Sequence, residues 1–195
     1  MYENIIKIGF DIDGVVANSF KPIVEEIENL TGIRIEKKIG SKWIIDIENL
    51  SNSKKLEIIN NCLSKNEKIK VLPSPKIIIP KIYKSFNCQI FFITARSKCL
   101  YDVTERWLKE NFSDIEFKLI VVGDQDKIDA IKENNISIYV EDRLKNANEI
   151  ADIIDRMYLI NRPYNMNRYT NPKIIRVKNF FEIWDIEFEK KLIPS

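Results

Sequence analysis

"IGFDIDGVVANSF", residues 8–20, sets Asp11 and Asp13 at the end of an apolar run and follows them with Gly14. The segment "IIKIGF" (5–10) is short and apolar, which reads as a strand buried on both faces. Two acids at the mouth of such a strand need a reason, and the rest of the chain supplies one.

Downstream, similar apolar runs recur at "CQIFFI" (88–93), "FKLIVV" (117–122), "SIYV" (137–140), "RMYLI" (156–160) and "KIIRV" (173–177). Helical patterns separate them: "KCLYDVTERWLKENF" with Leu100, Val103 and Trp107 aligned, "DQDKIDAIKENN", and "RLKNANEIADII" with Leu144, Ala147, Ala151 and Ile154. "NFFEIWDIEFEKKL" closes the chain as a helix. Strands that are apolar throughout and alternate with helices predict an α/β fold, a doubly wound parallel sheet covered by helices on both sides.

Residues 18–86 break that rhythm. They read as a small, mainly helical cap inserted after the first strand, between core segments 1–17 and 87–195. One helix follows Asn18 or Ser19 as cap and aligns Phe20, Ile23, Val24, Ile27 and Leu30. A second, "SKKLEIINNCLS", aligns Leu56, Ile59 and Leu63; a third begins near Pro75. Residues 15–85 carry 12 Lys and one Arg against eight acidic residues, a basic surplus in a chain of net charge +2.

Composition narrows the chemistry. The chain has 195 residues, 45% of them hydrophobic and 31% charged, an ordinary globular balance. With no histidine, Ser-His and Cys-His nucleophiles and HExxH zinc sites are excluded. None of the five glycines builds a P-loop or a GxGxxG turn. The three cysteines lack metal-type spacing and read as reduced thiols. The apolar start is too short for a signal peptide and no window reaches a membrane span, so a cytoplasmic protein without membrane partners is expected. A net charge of +2 argues against polymeric nucleic acid as a partner.

In a doubly wound sheet, ligands bind beyond the carboxyl ends of the strands. Those ends carry Asp11 and Asp13, then Thr94, Ala95 and Arg96, then Gly123, Asp124 and Lys127, then Glu141 and Asp142. Clustered carboxylates repel unless a cation sits among them, and Asp11, Asp13 and Asp142 offer the hard oxygens that Mg²⁺ prefers. An EF-hand is excluded because Gly14 falls at loop position four rather than six. Thr94 and Lys127 add a donor and a positive charge of the kind that surrounds a phosphoryl group.

The series "DIDGVV", "ITARS", Lys127 and "VEDR" resembles the four motifs of the haloacid dehalogenase-like hydrolases. The resemblance implies Asp11 as nucleophile, Asp13 as general acid/base, Thr94 as phosphate donor, Lys127 as charge stabiliser and Asp142 as Mg²⁺ ligand. Metal ligation is implied for Asp11, Asp142 and Asp13, the last through its main-chain carbonyl. Glu141 is implied as a ligand through water or as a partner of the ligands. A second aspartate in the first motif favours phosphatases over dehalogenases.

More narrowly, "FDIDGVVANSF", "YVEDR" and "LINRPYN" resemble the 5'(3')-deoxyribonucleotidases and bacterial nucleotidases. The expected substrate is a small phosphate ester, a nucleoside monophosphate first; a homodimer is compatible with this reading. Sugar phosphatase activity and an idle nucleotide-binding regulator are the alternatives. Phe20, Trp43, Ala95 and Arg96 are candidate substrate contacts. Asp13 is expected to have a raised pKa, from burial and neighbouring acids. Trp107 and Trp184 read as packing residues, and "NRPYN" as a turn.

Overall fold

The structure is a computed structural model and describes residues 5–32, 50–166 and 168–189. Its centre is a six-stranded parallel sheet: β1 (Ile6–Phe10), β4 (Cys88–Thr94), β5 (Phe117–Val121), β6 (Ile138–Glu141), β7 (Arg156–Ile160) and β8 (Ile174–Val177). Spatial order is β5-β4-β1-β6-β7-β8. The chain therefore winds outward from β1 in both directions, and the switch of direction falls beside Asp11. The expected doubly wound parallel sheet is borne out.

Helices cover both faces. One face carries α3 (Pro73–Ser85), α4 (Tyr101–Asn111) and α7 (Phe180–Ile183), with Ile78, Ile82, Trp107, Leu108, Phe180 and Ile183 buried against Phe10, Phe92 and Tyr158. The other carries α5 (Lys127–Glu133) and α6 (Leu144–Ile150), with Ala130, Ile131, Ala147 and Ile150 against Phe91, Ile93, Tyr139 and Leu159. Strands read as apolar throughout are thus apolar because both faces are covered. Trp107 and Trp184 are buried as packing residues, and Trp107 also donates its Nε1–H to the Ile69 carbonyl at 2.8 Å.

The closing helix departs from the expected pattern: α7 passes into a π-helical turn at Trp184–Phe188, which packs Trp184 and Phe188 on Phe86. α3 starts at Pro73 rather than Pro75, since Pro73 has no N–H to lose in a first turn. α6 stops at Ile150, so Ile154 packs from the turn beyond it.

The insertion contains α1 (Phe20–Thr31) and α2 (Asn52–Ser64). A short antiparallel ribbon closes its base: β2 (Ala17–Asn18) pairs with β3 (Lys70–Val71), and the Leu72 N–H donates to the Val16 carbonyl at 2.8 Å. The helix after this ribbon, α3, packs on β4 and α7 and so lies on the sheet. Ser51 caps α2 by accepting from the Lys54 N–H at 3.3 Å. Ser19 stands at the start of α1 without such a bond, and Leu30 is exposed rather than on the apolar face. Among the described residues no helix is long and apolar enough to cross a membrane.

Candidate active site

Parallel strands end together, so their carboxyl-terminal residues converge on one rim. Asp11 follows β1 directly, and its N–H donates to the Val140 carbonyl of β6 at 3.0 Å. Residues 14–17 then turn back sharply, with the N–H groups of Val15, Val16 and Ala17 all directed at the Ile12 carbonyl. Gly14 has φ +86°, and a Cβ there would stand 2.0 Å from Asp142 Oδ2. Only glycine meets both demands, the left-handed backbone and the approach of the Asp142 carboxylate just beyond β6.

The structure brings Asp11, Asp13, Thr94, Lys127, Glu141 and Asp142 together, all buried. They divide into two groups. Lys127, at the start of α5, donates to Asp11 Oδ1 at 2.6 Å and to Glu141 Oε2 at 2.9 Å. Both oxygens of Glu141 accept further bonds: Oε1 from the N–H groups of Asp142 and Arg143, and Oε2 also from Asn146 Nδ2. Asp142 receives the Tyr164 hydroxyl on Oδ2, while its Oδ1 is buried without a hydrogen-bond partner. Asp11, Glu141 and Asp142 each offer a carboxylate oxygen, and these three atoms lie within 4.8 Å of one another.

Electrostatics follow from that crowding. Burial and the Glu141 carboxylate push Asp11 up to about 7, against the pull of Lys127. Burial, Glu141 and Asp11 push Asp142 well above the usual carboxylate range. Burial would also raise Glu141, but Lys127 and the hydrogen bonds from residues 142 and 143 hold it down to about 2. Lys127 stays charged despite burial because Asp11 and Glu141 face it. Three buried carboxylates against one ammonium leave the group short of positive charge, and one buried oxygen of Asp142 is unsatisfied. Such a donor set fits a hard divalent cation.

The second group is Asp13 with Arg96. The guanidinium grips the carboxylate with two bonds, Nε to Oδ2 at 2.9 Å and Nη2 to Oδ1 at 2.7 Å, and Nη1 donates to Thr104 Oγ1 at 3.1 Å. One expectation is refined here and one changes. Arg96, a candidate substrate contact, lines the cavity over Asp11 while its guanidinium is bound to Asp13 and Thr104. Asp13 was expected to have a raised pKa; burial does push it up, but the charge and hydrogen bonds of Arg96 outweigh burial and hold it below the usual range.

Thr94 ends β4 with its hydroxyl accepting the Arg96 N–H at 3.2 Å. Ala95 is exposed at the rim. Phe20 packs its ring 6.2 Å from that of Tyr164. Trp43 lies outside the described residues.

A cavity of about 260 Å³ opens over Asp11, Asp13, Thr94 and Lys127. Its far wall is α2, which presents Leu56, Ile59, Asn60 and Leu63; Asn60 Oδ1 accepts from Ser97 Oγ at 2.9 Å. The stripe aligned on α2 in sequence, Leu56, Ile59 and Leu63, lines the cavity, while Ile58 and Cys62 beside it pack inward. The breadth of apolar residues on that helix was the available signal.

The segment read as a turn, "NRPYN", was also underrated. Arg162 Nε and Nη2 donate to the Gly14 carbonyl at 2.9 and 2.6 Å, and Asn165 Nδ2 donates to the Asp142 carbonyl at 2.7 Å. With Tyr164 on Asp142, these residues tie the loops after β1 and β6 together. An Arg, a Tyr and two Asn within one short turn, in a segment that also carries the narrower resemblance, were the hint in sequence.

The fold is shared with solved haloacid dehalogenase-like hydrolases, so the likeness read from the four motifs extends to the fold. The chain is similar, at 27% identity over 209 residues and 95% of each chain, to a protein of Halalkalibacterium halodurans provisionally named a nucleotidase. A structure from Clostridium difficile, provisionally titled a phosphatase, matches with TM-score 0.64 at 16% identity, over 94% of this chain and 99% of that one. A haloacid dehalogenase-like family hydrolase from Streptococcus pneumoniae matches with TM-score 0.62 at 12% identity, over 92% and 97%. No family model matches the chain.

Proposed function

We propose that this protein is a Mg²⁺-dependent phosphomonoesterase that works through an aspartyl-phosphate and hydrolyses nucleoside monophosphates. The observation that carries the reading is the buried rim itself: an aspartate beside a lysine, a threonine hydroxyl, and a cation-deficient carboxylate cluster under one cavity. Similarity to proteins named as nucleotidases and phosphatases supports it.

Asp11, Asp142 and the main-chain carbonyl of Asp13 are the groups that would hold the metal. When bound, Mg²⁺ supplies the positive charge that lets a phosphate dianion approach carboxylates. Asp11 attacks phosphorus through a carboxylate oxygen; the P–O bond to the leaving group breaks as the Asp11–phosphate bond forms. Thr94 donates its hydroxyl to a phosphoryl oxygen, and Lys127 offsets the charge that develops there. Asp13 delivers the proton the alkoxide needs, and in the second step takes one from the water that attacks the aspartyl-phosphate. With Arg96 on both its oxygens Asp13 is ionised, the form the second step uses; the first step requires Asp13 protonated and turned from Arg96.

The insertion expected at residues 18–86 serves as the cap, its part before α3 closed at the base by the ribbon of β2 and β3. Its apolar wall on α2, with Phe20 and Trp43 as further candidates, gives a base or sugar a surface to pack on. Stacking contributes roughly 1–3 kcal/mol per base. Nucleotides are then favoured over ribose 5-phosphate by about 5- to 150-fold in kcat/KM. Phosphate release from nucleoside 5'- and 3'-monophosphates and from ribose 5-phosphate tests this. Equal rates would remove the nucleotidase reading and leave a general phosphatase.

A further inference from the structure

We infer that Tyr164 is a positioning residue for the divalent cation, acting through Asp142; this rests on the reading that the carboxylate cluster holds Mg²⁺. A buried aspartate with two free oxygens could rotate, or turn both oxygens to Lys127. Tyr164 removes that freedom. Its hydroxyl occupies Oδ2, which leaves Oδ1 as the buried oxygen that lacks a partner. The tyrosine is itself held from several sides. Phe20, in the first turn of α1, packs against its ring at 6.2 Å. Its neighbour Asn165 donates to the Asp142 and Ile160 carbonyls at 2.7 and 2.8 Å. Arg176 of β8 in turn donates from Nη2 to the Asn165 carbonyl at 2.6 Å.

The opposite side is equally tight. A Cβ at residue 14 would lie 2.0 Å from Asp142 Oδ2 and 2.9 Å from the Tyr164 hydroxyl, so the backbone of the first loop, the carboxylate and the phenol meet at one point. Arg162, two residues before Tyr164, fixes that backbone through the Gly14 carbonyl. Asp142 is thus oriented by a neighbour that is not itself a ligand, the arrangement in which losing the outer partner weakens metal affinity by about 10- to 100-fold.

This gives Phe20 a task besides any contact with a base: it holds the tyrosine ring. The test is calorimetric titration of Mg²⁺, with no substrate present, into wild type, Tyr164→Phe, Phe20→Leu and Asp142→Asn, each checked for folding by circular dichroism. Tyr164→Phe keeps the ring and its packing and removes only the hydroxyl. Its Kd for Mg²⁺ is expected to rise about 10-fold or more, with a smaller rise for Phe20→Leu. Turnover that Tyr164→Phe loses at low Mg²⁺ should return as Mg²⁺ is raised, which damage to the fold would not allow. Wild-type binding lost in Asp142→Asn but unchanged in Tyr164→Phe would overturn the inference and leave the metal reading intact. Failure of wild type to bind Mg²⁺ would overturn both.

Discussion

Asp11 and Asp13 are separated by one residue and stand in opposite electrostatic surroundings. Asp11 shares a single ammonium, Lys127, with Glu141 in a cluster that also holds Asp142. Asp13 has a guanidinium to itself. The first half of the rim is short of positive charge and suited to take up a cation; the second is already neutral. The first half's strain is relieved by what it binds, so changes there should register in chemistry and metal affinity. The second is relieved by its own partner, so a change at Arg96 should register first in stability.

The largest expected effect tests the first half. Asp11→Asn keeps the size of the side chain, but an amide does not attack phosphorus. Turnover should fall by about 10³-fold or more, while thermal unfolding stays close to wild type. Residual kcat above a few per cent, measured by phosphate release, would break the assignment of the nucleophile.

The second half predicts the reverse emphasis. Arg96→Met leaves the Asp13 carboxylate buried without its counter-charge, which costs about 3–5 kcal/mol of stability. Adding Asp13→Asn to that variant should recover part of the loss, because the stranded charge goes with it. Urea unfolding of the two singles and the double measures the coupling. A loss below about 1 kcal/mol for Arg96→Met would mean the pair is not held as tightly as its geometry indicates.

Added Mg²⁺ distinguishes the halves directly. A ligand that binds only the folded state at a hundred times its Kd stabilises by about 2.7 kcal/mol. Wild type should gain this, Asp142→Asn should not, and Arg96→Met should gain it on top of its lower baseline. Equal gains in wild type and Asp142→Asn, read by thermal scans with and without EDTA, would place the cation elsewhere.

How much of this was legible in sequence depends on range. The sheet was, because a strand buried on both faces writes itself as an unbroken apolar run. The acids at its carboxyl ends were legible for the same local reason. What the sequence did not disclose are pairings between residues far apart. Arg96 reads equally as a phosphate contact or an ion-paired residue, and only the fold identifies its partner as Asp13, 83 positions away. Tyr164 sits in what looks like a turn, and only tertiary contact puts its hydroxyl on Asp142. That the Leu56, Ile59 and Leu63 stripe of α2 faces a cavity was not legible, because a residue that packs on a core and one that lines a cavity are both apolar.

The smallest effect sets the buried rim against a charge pair at the surface of the insertion. Glu26 of α1 accepts from Lys65 at 2.8 Å, with Lys68 3.6 Å away, which links α1 to the segment after α2. The bond from Lys65 holds the Glu26 carboxyl below its usual 4.5, outweighing a small upward push from burial. A folded-state value below the unfolded one means the stabilisation is fully present above about pH 4.5 and is lost as pH falls through the folded value. Both lysines are exposed, so water and salt screen the pair and its contribution is far smaller than that of Arg96 with Asp13. Glu26→Gln should therefore lower the melting temperature by only about 1–3 °C at pH 7, and the gap should narrow as pH falls below 4.5. A gap that persists in acid would show that Glu26 acts through packing on α1 rather than through its charge.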